Sequence, residues 1–159
     1  MDRTYGSAVI HACPPGRAGV IARILLEDFR LTVDPVQGDE LPDGDDRWVV
    51  RVGECYYASE WSVGTAEELA NELVQAAPDA TFTVHEDPAY EFLGEMFSYV
   101  PVMGIFNSDC DQFGEPHFSL SALLALDRES AEVRRRKLGV PWREAIAALP
   151  PCTVFEPSW

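Results

Sequence analysis

The sequence predicts an α+β fold: an antiparallel sheet with two helices on one face, in a ferredoxin-like split βαβ plan with an extra strand. Two segments with helical spacing of apolar residues, 17–29 and 66–77, are separated by runs with strand-like alternation. The pair Gly53-Glu54 lies between two such runs, which is typical of a tight hairpin. The hydrophobic fraction of 47% and the charged fraction of 25% are ordinary for a globular protein.

The first 88 residues provide the elements of this plan in the order β, α, β, β, β, α, β. Each helix has one apolar stripe, which predicts that both pack on the sheet. Thr65 and Glu68 have the spacing of a capping box at the start of the second helix. The predicted strands span residues 6–12, 31–36, 47–52, 55–61 and 81–84.

The predicted hairpin at 47–61 assigns each side chain to a face. A type II′ turn at Gly53-Glu54 makes one face apolar and sets Arg47 against Glu60 on the other. The apolar face is expected to join the core, and it comprises Trp48, Val50, Val52, Cys55, Tyr57 and Ser59, with Trp61 beyond.

Residues 89–159 are expected to form a hairpin and a helical extension packed on this core, so that 1–159 is a single domain. Pro141 is suited to the first turn of a helix and marks the start of the last one. The predicted elements are a turn or short helix at 89–93, a hairpin of 95–106 with 115–118, a helix at 119–126 that can extend to 137, and a helix at 142–149.

The charge is strongly acidic and unevenly distributed. The net charge is −15, from 27 acidic and 12 basic residues. Residues 1–127 hold 23 acidic and 6 basic residues, a net charge of −17, whereas residues 128–159 carry +2. Such a field repels nucleic acid and anionic membranes and attracts cationic surfaces, so neither nucleic acid nor membrane is an expected partner. The basic run at 134–137 suits the C-terminal end of a helix, with nucleic-acid contact as the weaker alternative.

A cytoplasmic location is expected from the cysteines and from the absence of targeting patterns. The cysteines form no CxxC pair, which favours reduced thiols and leaves a single disulfide as the alternative. No apolar run approaches the roughly 20 residues of a membrane span. The first residues lack the basic and apolar regions of a signal peptide. The four cysteines are Cys13, Cys55, Cys110 and Cys152.

No metal or other cofactor is expected. Residues 107–114 resemble part of a calcium loop, but a register beginning at Asp109 places Phe113 and Leu120 where oxygen ligands are needed. Histidine and cysteine occur near each other at two places, without the spacing of a zinc motif. These pairs are His11 with Cys13 and Cys110 with His117.

The acidic charge and the lack of a catalytic motif favour a non-enzymatic interaction protein, although enzymatic activity is left open. Its acidic surface would occupy a basic site on a partner protein, as inhibitors, immunity proteins and nucleic-acid mimics do. No catalytic residue is assigned. The expected binding residues are the carboxylates Asp43, Asp45, Asp46, Glu67 and Glu72, with Trp61 among the candidates for an apolar anchor.

The alternative is a small-molecule-binding or enzymatic domain with a pocket between the sheet and the C-terminal extension. A pocket that encloses polar groups around His11, His85 or His117 would favour it, whereas a carboxylate ridge without a pocket would favour the interaction protein. Seven aromatic residues are available to line such a pocket: Tyr90, Phe92, Phe97, Tyr99, Phe106, Phe113 and Phe118. The oligomeric state is left open.

Overall fold

The computed structural model describes residues 3–33 and 50–150. In these residues the α-helices and strands are β1 (Arg3–Ala12), α1 (Ala18–Arg23), β2 (Thr32–Val33), β3 (Cys55–Ser62), α2 (Thr65–Ala76), β4 (Thr81–Glu86), β5 (Gly94–Val100), β6 (Gly104–Cys110), β7 (Pro116–His117), α3 (Leu120–Leu126), α4 (Ala131–Lys137) and α5 (Val140–Ala147).

The seven strands form one antiparallel sheet in the order β2-β3-β1-β4-β5-β6-β7. The predicted α+β class with an antiparallel sheet is therefore confirmed. The sheet is larger than the predicted ferredoxin-like plan. The reason is that residues 94–117 add three strands to the edge beyond β4 and do not pack on the sheet as a separate hairpin.

The main core lies between one face of the sheet and the helices α1 and α2. Alternate strand residues such as Ile10, Phe82 and Val84 are buried against Leu25 and Leu69. Burying each side chain of this size contributes about 1.5–3 kcal/mol. The apolar stripes predicted for both helices are confirmed. A π-helical turn continues α1 over Ile24–Asp28.

The start of α2 is stabilised by a residue that the sequence pattern did not indicate. Glu86, buried at the end of β4, accepts hydrogen bonds from the N–H groups of Gly64 (2.9 Å) and Ala66 (3.2 Å). A carboxylate suits the positive end of a helix. The Thr65 hydroxyl instead donates to the Ser62 carbonyl at 2.6 Å, so the predicted capping box at Thr65 is wrong.

The predicted hairpin of 47–52 with 55–61 is wrong, because β3 lies between β1 and β2 and pairs with both of them. Glu54 N–H donates to the Arg51 carbonyl, and Gly53 has a φ of 83° at the third position of that turn. The faces of β3 are set by its pairing with β1 and β2. Tyr56 is buried and Tyr57 is exposed, the reverse of the prediction. Val50 and Val52 are buried as predicted, whereas Trp48 lies outside the described residues.

The strand pairing predicted for residues 95–118 is also wrong. β5 pairs with β6 through a tight turn at 101–103, and β7 then pairs with the end of β6. Pro101 lies in the turn, where a residue without an N–H costs no ladder hydrogen bond. The strand predicted over 95–106 therefore ends at Val100, and the next strand begins at Gly104.

The C-terminal helices pack against the other side of the sheet through α5. Its Trp142 is buried with Met96, Phe106 and Cys110, and its indole N–H donates to the Gly104 carbonyl at 2.9 Å. Gly139 precedes α5 with a φ of 77° and lies so close to Phe106 that a Cβ would be 2.4 Å from the ring.

The helix predicted from Ser119 is divided in two. Ser130 caps a new helix, α4, by accepting a hydrogen bond from Val133 N–H. The chain therefore does not continue as one helix to Lys137. Among the described residues, no helix is long and apolar enough to cross a membrane.

Candidate functional site

A cavity of about 620 Å³ lies between the sheet and α5. Its floor is the sheet face opposite the α1–α2 core, formed by β1, β4, β5 and β6. Its far wall is α5, and the loop between β6 and β7 closes one side. Cavities of about 300–1,000 Å³ are the usual size of small-molecule sites.

Strand alternation explains which side chains form the floor. In β1, Ala8 and Ile10 belong to the α1–α2 core, so Ser7, Val9 and His11 project from the opposite face. The neighbouring strands β4 and β5 follow the same alternation. Thr83, His85, Met96 and Ser98 therefore complete the floor.

The floor contains a hydrogen-bonded polar cluster, which we call the polar floor and define as Ser7, His11, Thr83 and His85. Ser7 faces His85 across the β1–β4 ladder, and its Oγ lies 2.9 Å from Nδ1 and 3.1 Å from Nε2 of that ring. His11 Nε2 lies 2.9 Å from the Thr83 hydroxyl. Each imidazole therefore has a hydroxyl partner on the neighbouring strand.

Both imidazoles are held in their neutral form. Burial lowers the pKa of His11. Burial also lowers the pKa of His85, against the opposing effect of Asp87, whose carboxylate lies 3.4 Å from His85 Nε2. Burial raises the pKa of Asp87, and His85 partly offsets that effect. Neutral imidazoles offer one donor and one acceptor each, so the polar floor can both donate and accept hydrogen bonds without carrying a cation.

The walls above the polar floor are mostly apolar. They combine aromatic side chains from β6 and the segment that follows it with aliphatic side chains from α5 and the residues before it. These wall residues are Phe106, Phe113, Phe118, Leu138, Val140 and Ile146. Three of the seven aromatic residues predicted as a possible lining are thus at the cavity, whereas Phe97 and Tyr99 are in the main core.

Opposite charges meet where α5 approaches β7. Arg143 and Glu115 both line the cavity and form an ion pair, with about 60% or more of each side chain exposed. An exposed pair of this kind contributes at most about 1 kcal/mol. It is therefore a rim that can open for a ligand rather than a fixed wall.

A family model described as "Protein of unknown function (DUF3145)" matches residues 47–149, more than half of the chain. The chain belongs to the DUF3145 family. The match begins before the described residue 50 and continues past the end of α5, and it includes His85 and the apolar walls, while Ser7 and His11 on β1 precede it. No curated protein and no solved structure gives a significant match.

A serine, a histidine and a carboxylate lie together in this DUF3145 chain. Ser7 is in the middle of the sheet and pairs with Tyr57 on one side and His85 on the other. Its main chain therefore belongs to two ladders. Among the described residues, no group of three or more potential ligands could hold a metal ion.

The three cysteines that the structure describes differ in accessibility. Burial raises the pKa of Cys13 to about 11 and that of Cys110 to about 12, so both are poor nucleophiles. Cys55 is half-buried and lines the cavity, opposite Val9 in the β1–β3 ladder. It is therefore a natural chemical probe of the cavity.

Of the residues predicted to bind a basic partner, those that the structure describes lie away from the cavity. Glu67 and Glu72 are exposed on α2, which covers the other face of the sheet. Asp43, Asp45 and Asp46 lie outside the described residues.

Trp61 requires a correction as a candidate surface anchor. It is 5% exposed, and its indole N–H donates to the Phe29 carbonyl at 3.2 Å. Gly6 allows this burial, because a Cβ there would lie 1.9 Å from the Trp61 ring. In this arrangement Trp61 belongs to the core.

The polar floor was only partly visible in the sequence. His11 and His85 were singled out, but Ser7 and Thr83 were not. A signal was present, because polar residues recur at alternate positions of two strands that otherwise carry apolar side chains. Such a pattern marks a second, partly polar face of a sheet that is covered on both sides.

Proposed function

We propose that this protein is a cytoplasmic binding protein for a small, mostly apolar organic molecule with one neutral hydrogen-bonding group, such as a hydroxyl, an amide or an aromatic amine. The observation that carries the proposal is the cavity of about 620 Å³ whose apolar walls enclose the polar floor. An apolar pocket with a few convergent polar groups is the usual form of a small-molecule site.

The polar floor supports a neutral ligand group over an anionic one. His11 and His85 both have lowered pKa values and are uncharged at neutral pH. A carboxylate beside them would gain no opposite charge from the polar floor, and Arg143 at the rim is already paired with Glu115, so burying the carboxylate there is costly. A neutral group that donates and accepts can satisfy the imidazoles and hydroxyls at once.

Two fluorescent dyes test whether the cavity binds an apolar molecule and whether it prefers a neutral polar group to an anionic one. Aminoanthracene is apolar with a neutral amine, whereas anthracenecarboxylate has the same rings with a negative charge. We expect one molecule of aminoanthracene to bind per chain, and the carboxylate to bind at least about tenfold more weakly, the equivalent of about 1.4 kcal/mol. Titration of dye fluorescence measures both.

Two matched substitutions locate the binding. Val9→Trp places an indole in the cavity and should abolish dye binding, whereas Val102→Trp, at the 95% exposed tip of the β5–β6 turn, should leave it unchanged. Melting temperatures of both variants verify folding. Equal dye binding by the two variants, or no binding by the unmodified protein, would rule out the proposed site.

A second candidate is the acidic interaction protein, which one observation favours. Glu95 lies opposite Glu86 and Asp109 in the sheet, and burial together with Glu67, Glu86 and Asp109 raises its pKa. This cluster of carboxylates beside α2 attracts a cationic protein surface. Inhibitor, immunity and nucleic-acid-mimic roles all belong to this candidate.

The second candidate is tested by neutralising the carboxylates that the sequence predicts to bind a basic partner. The variant changes Glu67 and Glu72 to Gln and Asp43, Asp45 and Asp46 to Asn. A basic partner captured from the native host should then associate more slowly, with a weaker dependence on salt, because screening acts on the lost charges. An unchanged association rate would show that these carboxylates only solvate the surface.

A further inference from the structure

Ser98, in the middle of β5, is a polar residue at an enclosed position of the cavity floor. It is 5% exposed, and it lines the cavity. Its direct neighbours in the sheet are Thr83 on β4 and Phe106 on β6, and α5 packs against β5. The Ser98 hydroxyl is therefore largely separated from bulk water and depends on a hydrogen-bond partner close by.

The Ser98 hydroxyl has no hydrogen-bond partner in the part of the chain that the structure describes. A serine hydroxyl can donate one hydrogen bond and accept two. Most buried side-chain polar atoms are hydrogen-bonded, and a buried group without a partner calls for a specific explanation. Ser98 thus offers its full hydrogen-bonding capacity to a molecule in the cavity.

The residues of the polar floor are less available to a ligand, because they are bonded in pairs. His11 Nε2 lies 2.9 Å from the Thr83 hydroxyl. In the other pair, Ser7 Oγ lies 2.9 Å from His85 Nδ1, and the Asp87 carboxylate lies 3.4 Å from Nε2 of the same ring. A neutral imidazole has one donor and one acceptor, so contacts within the protein engage both nitrogens of His85.

The surroundings of Ser98 favour an uncharged ligand group. Neither of its neighbours in the sheet, Thr83 and Phe106, carries a charge. The charged side chains that line the cavity, Arg143 and Glu115, are paired with each other at the rim. An ion at Ser98 would lose its hydration without gaining an opposite charge, which is costly. A neutral group that donates and accepts hydrogen bonds matches the hydroxyl without that cost.

We propose that Ser98 binds the polar group of the ligand, and that this group is a hydroxyl or another neutral group that both donates and accepts. This assignment rests on the proposed function, and it adds a residue that the polar floor does not include. Thr83 provides a second hydroxyl nearby, because directly opposed residues of antiparallel strands have Cβ atoms about 4.5–5.5 Å apart. The apolar part of the ligand then lies against Phe106 and the aliphatic residues of α5.

Naphthol and methylnaphthalene test this assignment, because they have nearly the same shape and differ by a hydroxyl in place of a methyl group. Ser98→Ala should weaken naphthol binding about fivefold, the contribution of one neutral hydrogen bond, and leave methylnaphthalene binding within about twofold. Isothermal titration calorimetry measures both affinities. The matched control is Ser108→Ala on β6, whose hydroxyl donates to the Asp109 carbonyl at 2.9 Å outside the cavity. It should leave both affinities unchanged.

Three results would overturn the assignment. Unchanged naphthol affinity in Ser98→Ala would show that the hydroxyl takes no part in binding. Equal weakening of naphthol and methylnaphthalene would indicate a change in the shape of the cavity and not a lost hydrogen bond. If neither compound binds the unmodified protein, the proposed function itself fails, and the assignment of Ser98 fails with it.

The Ser98→Ala variant should keep its melting temperature, because the substitution removes no hydrogen bond among the described residues. If it unfolds, Ser98→Cys provides the same readout, since a thiol has a similar size and is only a weak hydrogen-bonding group.

Discussion

Two residues of the polar floor, His11 and His85, make the stability of this protein depend on pH. Burial lowers the pKa of His11 and of His85 in the folded protein. The folded state then binds fewer protons than the unfolded chain below about pH 6.5, the usual histidine pKa. The histidine contribution to stability is therefore complete above that pH and is lost as the pH falls toward the folded pKa values.

His11→Gln should make stability less dependent on pH in this range. Glutamine retains a partner for the Thr83 hydroxyl but does not titrate. Urea unfolding at neutral and mildly acidic pH measures the difference. The unmodified protein should lose more stability on acidification than the variant does. Identical losses would show that His11 is not held neutral by burial.

Glu86 carries a second prediction at the residue scale. Glu86→Ala leaves the Gly64 and Ala66 N–H groups without their acceptor and should lower the free energy of unfolding by about 1–3 kcal/mol. The exposed Glu68→Ala, at the position of the expected capping box, serves as the control and should change it by about 0.5 kcal/mol or less. Similar losses from the two variants would contradict this account of the α2 N-terminus.

At the scale of the elements, the sequence predicted the helices better than the strand faces. The stripes of α1 and α2 are determined by local spacing, and the structure confirms them. Strand faces depend on register, which a single residue changes. Between Thr4 and Gly6 the pairing of β1 with β3 shifts, so Tyr56 and Trp61 are both buried although they are five residues apart. Strict alternation along β3 would put Tyr56 and Trp61 on opposite faces, so the sequence pattern could not predict that both are buried.

The register of β3 can be tested with adjacent tyrosines. Tyr56→Ala removes a buried ring whose hydroxyl accepts from Arg51 N–H at 2.8 Å, and it should cost about 3–5 kcal/mol. Tyr57→Ala changes a side chain that is about half exposed and should cost about 1 kcal/mol or less. Chemical denaturation measures both. The opposite ranking would restore the face assignment predicted from the Gly53-Glu54 turn.

At the scale of the whole molecule, the cavity results from a sheet that is covered on both faces. The sequence indicated a pocket between the sheet and the C-terminal extension only as an alternative, because the long-range contacts that form it leave no local pattern. Trp142 is an example: its indole N–H donates to Gly104, 38 residues away, and its ring packs on Phe106. The acidic composition was visible at once, yet charge alone does not specify a site.

The rate at which Cys55 is alkylated tests the central claim that a ligand occupies this cavity. In a Cys152→Ser background, a neutral maleimide should react mainly at Cys55, because Cys13 and Cys110 are buried and their pKa values are raised to about 11 and 12. Saturating aminoanthracene should slow that reaction at least about tenfold, because the dye covers the thiol from inside the cavity. An unchanged rate while the dye is bound would place the ligand elsewhere and contradict the account.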